Sequence, residues 1–281
     1  MTLTVTILGC GSSGGVPRVG SGWGACDPQN PKNRRRRCSV LVERSGPAGK
    51  TTVLVDTSPD LREQLLRENV QHLDGVLYTH EHADHTHGID DLRPLAIHMR
   101  RCIDIYTDAR TSALLRARFG YCFVTPEDSD YPPIVVEHHI APDRPVHVEG
   151  AGGRIEAWPF RMQHGRLEAL GFRFDGIAYA SDVSAMPEAS LGFLQDLDVL
   201  ILDALRYTRH PTHFNVAEAL ALIERVKPRR AILTNLHTDL DYERLRSELP
   251  PSVEPAYDGM RIAASAEAPA AAMHQRDDVR A

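Results

Sequence analysis

The chain is short of cysteine, of long apolar runs and of any large charge excess, and each shortage removes a class of answers. Five cysteines, Cys10, Cys26, Cys38, Cys102 and Cys122, are scattered and odd in number. That is poor material for a disulfide framework and fits a reducing cytoplasm, so a cytoplasmic location is expected. No stretch approaches membrane-spanning length, and Met1 to Cys10 alternates Thr with Leu, Val and Ile instead of showing a basic region before an apolar run. Neither export nor membrane insertion is visibly encoded. The formal net charge of −6 gives no reason to expect general nucleic-acid or membrane binding. The one basic run, Arg34 to Arg37, reads as a solvated face, with a grip on an anionic substrate as the alternative. No internal repeat is evident.

What is present is a chain long enough to bury a substantial core. Short strand-like runs recur at Leu3–Leu8, Ser39–Val42, Thr52–Val55, Gly75–Tyr78, Ile103–Tyr106 and Ile134–His138. They continue at Arg154–Trp158, Gly171–Phe174, Ile177–Tyr179, Val199–Leu202 and Ala231–Leu233. Helical patterns cover Asp60–Glu68, Ala109–Phe119, Pro187–Leu194, Val216–Val226 and Tyr242–Glu248, with Asn215 placed to cap the fourth. Strands crowd both halves and helices are interspersed, which suits an α/β layered sheet sandwich better than a strictly alternating parallel fold. One domain is expected over residues 1–263, with a disordered tail over 264–281. The Pro- and acid-rich stretch Thr125–Pro145 reads as an insertion or surface loop.

Gly9-Cys-Gly11-Ser-Ser-Gly14-Gly15 formally matches a dinucleotide fingerprint. That reading needs a helix to open there and an acid about twenty residues on. Val16-Pro17 and the arginine run stand in those places instead. A glycine-rich turn, with or without a ligand against its backbone, fits better.

The densest chemistry lies in Tyr-Thr-His80-Glu-His82-Ala-Asp84-His85-Thr-His-Gly. Unlike ionisable groups make poor core material unless something compensates them. On an extended segment His80 and His82 point the same way and can share one cation, while Asp84 and His85, after a turn, address a second. Imidazole and carboxylate without thiolate favour zinc, manganese or iron. Two metals need more ligands, and His164, Asp182 and His237 each stand where a strand gives way to a loop.

This pattern, H-x-H-x-D-H followed by isolated His, Asp and His, resembles the metallo-β-lactamase superfamily. The resemblance implies an αββα sandwich, two mixed sheets flanked by helices, with two divalent metal ions per chain, zinc or manganese, at one edge. It implies that His80, His82 and His164 hold one metal, that Asp84, His85 and His237 hold the other, and that Asp182 bridges them. His237 stands two residues beyond Asn235, the position where the family often carries its last histidine, and imidazole is the better ligand. Leu8-Gly-Cys-Gly11-Ser-Ser-Gly-Gly15-Val-Pro17, Arg-Arg-Arg-Cys38-Ser39 and Gly88-Ile-Asp-Asp-Leu-Arg93-Pro look like the branch of the phosphoribosyl cyclic phosphodiesterase of the carbon–phosphorus lyase pathway. In that branch a cysteine cluster binds a structural zinc. Only Cys26 falls near its place here, so no structural zinc is expected.

By the same resemblance His213, in Thr-His213-Phe-Asn215, stands where a general acid would protonate a departing alkoxide; a hydrogen-bonded histidine shaping the helix start is the alternative. His87 is expected to pack around the site. Two cations sharing a hydroxide, with Asp84 beside them, suit attack on phosphorus. The expected substrate is therefore a small cyclic phosphate or nucleotide-like phosphodiester, with Arg93 or the Arg34–Arg37 run as holders of a second phosphate. A lactone or thioester hydrolase and a non-catalytic metal-binding protein remain open. The arm of the tRNA 3′-processing endonucleases is not recognisable, so no stable nucleic-acid partner is expected; a homodimer is compatible with the sequence.

Overall fold

The computed structural model describes residues 2–264. Among them the strands are β1 Thr2–Gly9, β2 Ser39–Gly46, β3 Gly49–Val55, β4 Gly75–Leu77, β5 Ile103–Thr107 and β6 Val135–His139, then β7 Val146–Val148, β8 Ile155–His164, β9 Leu167–Phe174, β10 Ile177–Ala180, β11 Val199–Asp203, β12 Arg230–Thr234, β13 Val253–Pro255 and β14 Arg261–Ala263. The helices are α1 Leu61–Arg67, α2 Ala83–Thr86, α3 Arg93–Met99, α4 Ala109–Phe119, α5 Val216–Val226 and α6 Tyr242–Glu248. The strands form two seven-stranded mixed sheets, ordered β14-β1-β2-β3-β4-β5-β6 and β13-β12-β11-β10-β9-β8-β7.

Period-two alternation decides which side each residue serves. In β11, Val199 and Ile201 face the other sheet and join Ile7, Val40, Phe172 and Ile232 in the central layer. Leu200 and Leu202 face outward, against Ala219, Ile223 and Leu245 of α5 and α6. On the other flank Leu54, Val76 and Ile105 meet Leu61, Ala96 and Leu115 of α1, α3 and α4. The result is the expected four-layer αββα sandwich. Helix α5 begins where the sequence indicates: Asn215 and Glu218 form a reciprocal capping box, and Lys227 ends the helix in the left-handed region.

Several elements differ from the sequence reading. β8 runs through Pro159 to His164, because β7 reaches only Ala157 and beyond it that edge of β8 has no strand requiring an N–H. Residues Glu188–Leu194 form a 3-10 helix rather than an α-helix. β6 passes through the supposed insertion, parallel to β5. Ala264 still donates to the Leu3 carbonyl (2.9 Å), and the rest of the expected tail lies outside the described residues.

The Arg34–Arg37 run is not a uniform solvated face. Arg35 is buried and donates to the carbonyls of His237 (3.3 Å) and Leu240 (2.7 Å) and to Asn33 Oδ1 (3.2 Å). Arg36 pairs with Asp258 and Arg37 with Asp60. Carboxylates and loop carbonyls close to these three side chains claim their donors.

A topological repeat also emerges that the sequence conceals. From β14 through β6, three antiparallel pairings are followed by three parallel ones, and from β7 through β13 the same series recurs. β3 and β10 occupy the same place in their halves, at the change from antiparallel to parallel.

Asp258, between β13 and β14, fastens the end of β1 to the arginine run. Its carboxylate accepts the backbone N–H groups of Cys10 (3.2 Å) and Arg36 (2.9 Å). Burial nevertheless pushes its pKa up to about 6, more than the hydrogen bonds and Arg36 lower it. The folded state therefore holds this proton more tightly than the unfolded chain, where an aspartate titrates near ~3.9. Stability from this source is complete below about pH 4 and is lost as pH rises through about 6. Urea unfolding across that window should show the wild-type minus Asp258→Asn difference falling by up to about 3 kcal/mol. A difference that stays flat with pH would refute this.

Candidate metal centre

The site collects at the ends of strands from both sheets, where chains leave the β layer. Asp56 follows β3, His80 follows β4, His164 ends β8, Asp182 follows β10, Asp203 ends β11 and Asn235 follows β12. Asp56, Asp182 and Asn235 have φ of 64°, 51° and 62°. Asp and Asn tolerate this left-handed conformation better than most residues, and it turns each chain sharply off its strand. His82 is extended at φ −64°, ψ 151°, and α2 begins directly after it. As the spacing implies, His80 and His82 share one side of the extended segment, while the helical turn brings Asp84 and His85 back toward it.

Hydrogen bonds behind the site fix its rings. Asp56 Oδ1 accepts the Thr79 N–H, and Oδ2 accepts the Thr79 hydroxyl, both at 2.8 Å. With its own proton so used, Thr79 Oγ1 accepts from His80 Nδ1 (3.0 Å). His85 Nδ1 donates to Asp56 Oδ2 (2.7 Å), and His164 Nδ1 to the Thr212 carbonyl (2.6 Å). In all three histidines Nε2 is left for the site, and carboxylate or carbonyl partners of this kind orient metal-binding imidazoles.

His80 Nε2 and His164 Nε2 lie 3.0 and 3.3 Å from His82 Nδ1. Burial holds His80 and His164 below the ordinary imidazole pKa, so their lone pairs are available for a ligand bond. Beside them His85 Nε2 lies 3.0 Å from Asp182 Oδ2 and 3.5 Å from Asp84 Oδ2. His85 Nε2 and Asp182 Oδ2 are buried without a hydrogen bond of acceptable geometry. Burial alone would lower the His85 pKa, but Asp182, Asp56 and Asp84 together raise it well above the usual value. The pocket demands positive charge. Converging neutral imidazoles beside orphaned carboxylate oxygens fit divalent cations.

Three groups could each hold an ion: His80, His82 and His164; His80, His85 and Asp182; and His164, Asp182 and His213. Asp84 borders the second group. His237 falls in none of them. Its N–H donates to the Leu205 carbonyl (2.9 Å) and its Nδ1 lies 3.0 Å from Asp239 Oδ1, which keeps the ring on the rim. Asn235 points its amide nitrogen to within 3.2 Å of His213 Nδ1. His213 Nδ1 also lies 2.8 Å from Asp203 Oδ2 and 3.7 Å from Asp182 Oδ1. Burial lowers the His213 pKa, but its bond to Asp203 and the charges of Asp203, Asp182 and Asp84 outweigh burial and raise it. His87 is exposed and packs edge-on against Phe119.

The cavity over these residues measures about 270 Å³, and Leu205 is its one apolar side chain among the described residues. His82, Asp84, His164, Asp182, His213 and His237 border it, as do Ser12, Ser13, Arg18, Arg206 and His210. Neither Arg93 nor the Arg34–Arg37 run reaches it, and Arg93 is held by Asp90 at 3.0 Å. The glycine-rich turn does reach it, through Ser12 and Ser13. Gly9 is required at its base, since a Cβ there would collide with the Arg37 carbonyl. Sequence reasoning missed Asp56 and Asp203, yet both follow the pattern that marked Asp182: an acid closing an apolar strand, as in Val-Leu-Val-Asp56 and Leu-Ile-Leu-Asp203.

The β-lactamase superfamily domain matches residues 51–235, and the chain belongs to that superfamily. A crystal structure described as a new diphosphatase from the PhnP family is 35% identical, with a TM-score of 0.84 over 94% of this chain and 97% of its own. That similarity agrees with the PhnP branch. Zn(2+)-bound PqqB from Methylobacterium extorquens shares the fold at 18% identity, with a TM-score of 0.70 over 92% of this chain and 99% of its own. A protein named octanoyltransferase from Porphyromonas gingivalis (strain ATCC BAA-308 / W83) is 33% identical over 259 residues, 90% of this chain and 50% of that protein. Coenzyme PQQ synthesis protein B from Bradyrhizobium diazoefficiens is 27% identical over 171 residues, 57% of this chain and 52% of that protein. The chain spans about half the length of these curated relatives.

Because Asp56 aims His85 and braces Thr79, Asp56→Asn should weaken divalent-metal binding by about 10–100-fold. Competition against a chromogenic chelator measures this. Unchanged affinity in a folded variant would detach Asp56 from the metal centre.

Proposed function

We propose that the protein is a phosphodiesterase acting on a small cyclic phosphate or nucleotide-like phosphodiester, with two divalent cations, zinc or manganese. In this reading His80, His82 and His164 would hold one cation and Asp84 and His85 the other, with Asp182 available to either. Bound there, they would supply Lewis acidity, lowering the pKa of water and neutralising charge on a phosphoryl oxygen.

The observation that carries the reading is the lining of the cavity. A metal-ligand cluster opens into a space bordered by two arginines and a single apolar side chain. An anionic, polar substrate suits such walls. That favours phosphate over a lactone, a thioester or the acyl group in the name of the Porphyromonas relative.

His213 is the proton carrier. Asp203 engages Nδ1 at 2.8 Å, leaving Nε2 to donate to the departing oxygen, and the bond to Asp203 with the charges of Asp203, Asp182 and Asp84 raises the ring's pKa against the effect of burial. Asp203 is fully buried and also accepts the Val183 N–H (2.9 Å), so it holds the ring's direction as well as its charge. Asp84, partly open to the cavity, is an acceptor that orients water there.

Metal-quantified protein should hydrolyse an aryl phosphodiester and a ribose cyclic phosphate but not a lactone, and Asp182→Ala should abolish turnover. Lactone turnover alone would sink the phosphate assignment. For the proton carrier, His213→Ala should slow esters of poorly leaving alkoxides by about 10²–10⁴-fold while affecting 4-nitrophenyl esters far less. Both metals should remain bound in that variant. Loss of one metal, with leaving-group dependence unaltered, would make His213 a ligand instead.

A further inference from the structure

His80, His85 and His164 are each aimed by a hydrogen bond behind the ring, from Thr79, Asp56 and the Thr212 carbonyl respectively. His82 is not. Its Nδ1 faces His80 and His164, and among the described residues its Nε2 meets no hydrogen-bond partner. The ring is half-buried, so neither a partner nor tight packing dictates its direction. That direction depends on the backbone that carries it.

Both peptide groups flanking His82 are held. Its own carbonyl accepts the Thr86 hydroxyl (2.8 Å) and the His85 N–H (3.1 Å). The preceding carbonyl, that of Glu81, accepts from Arg118 Nη1 (2.8 Å), and among the described residues no backbone N–H reaches it. Because each peptide group is planar, fixing the two of them fixes the φ and ψ of His82 and with them the direction of its Cβ. A guanidinium thus does for His82 through the chain what Thr79, Asp56 and Thr212 do for the other rings directly.

Arg118 comes from α4, a helix that supplies no ligand. Asp108 caps that helix by accepting the Thr111 N–H (2.7 Å), and Leu115 roots it in the outer core layer. Two turns before Arg118, Arg110 donates from Nε to Glu81 Oε1 (2.7 Å), so the same residue is gripped by its side chain as well as its backbone. Glu81 is buried, and on the extended segment it points away from His80 and His82. At the end of α4, Phe119 packs edge-on against His87. The helix therefore touches the ligand-bearing segment on either side of His82, Asp84 and His85.

We infer that Arg118 is a positioning residue for the metal centre, setting through the Glu81 carbonyl the direction in which His82 presents Nδ1. The inference rests on the reading that His82 holds an ion with His80 and His164, and it requires no particular substrate.

Stepwise affinities for cobalt(II), measured on the metal-free full-length chain against a chromogenic chelator, test it. His82 belongs only to the group with His80 and His164. Arg118→Ala should therefore weaken one of the two constants by about tenfold and leave the other within about twofold. The sign is diagnostic, since removing a nearby positive charge would by itself tighten a cation. Arg118→Lys, which keeps an N–H donor, should retain part of the affinity. Arg116→Ala removes the same charge from the same helix but releases Glu137 instead, and should change neither constant. Unchanged or tightened binding in Arg118→Ala, or an equal loss at both ions, overturns the positioning role. A wild type that takes up a single ion overturns the two-ion reading instead, and a loss of affinity for that ion in Arg118→Ala alone would still support the positioning role.

Discussion

The arrangement depends on a charge imbalance that the protein cannot resolve alone. Asp56, Asp84 and Asp182 surround His85 in a buried space, and a single imidazolium cannot balance three carboxylates there. Burying such groups without compensation would cost more than the packing around them returns. The neutral cluster of His80, His82 and His164 directly beside them turns the imbalance into a demand for cations. This also explains why the surrounding structure is so over-determined. Thr79, Asp56 and the Thr212 carbonyl each hold a ring nitrogen that faces away from the site, so His80, His85 and His164 are not free to rotate and satisfy their neighbours instead.

The two halves of the sandwich supply this cluster in parallel ways. Asp56 and Asp182 follow the fourth strand of their respective series, and both adopt a left-handed φ. One turns behind the site to hold His85; the other turns into the site toward it. The chain therefore uses one geometric device, an acid kinked off the strand at the change from antiparallel to parallel pairing, for two tasks. Loops diverge where strand order and pairing change, which is where open sheets leave room for ligands. Asn235 occupies a third kink of the same kind after β12. There its amide nitrogen comes within 3.2 Å of His213 Nδ1.

How much of this was legible in the sequence follows from the range of each interaction. His80, His82, Asp84 and His85 declare themselves because six consecutive residues carry their geometry. The layered sandwich is legible because alternation along β11 or β3 is local. Asp56 and Asp203 were missed because each looks like any acid after a strand until tertiary structure places a histidine against it. The arginine run misled for the complementary reason: consecutive charges suggest a face, but Asp258 and Asp60, which claim Arg36 and Arg37, lie elsewhere in the sequence. The same limit hid the repeat, since hydrogen-bond direction leaves little trace in composition.

Arg35 shows what the basic run does in place of meeting substrate. Its backbone pairs with Val16 in both directions at 2.9 Å, beside the glycine-rich turn, while its guanidinium grips the carbonyls of His237 and Leu240. One buried side chain therefore ties the turn that presents Ser12 and leads into Arg18 to the loop that carries His237. Those segments are over two hundred residues apart in the chain, and both border the same cavity. A lysine could not hold both loops in this way, because a single ammonium lacks the spread of a guanidinium fork. The shape of the cavity mouth is thus set from behind by a cation withheld from it, which leaves Arg18 and Arg206 to supply the positive charge that the cavity itself presents.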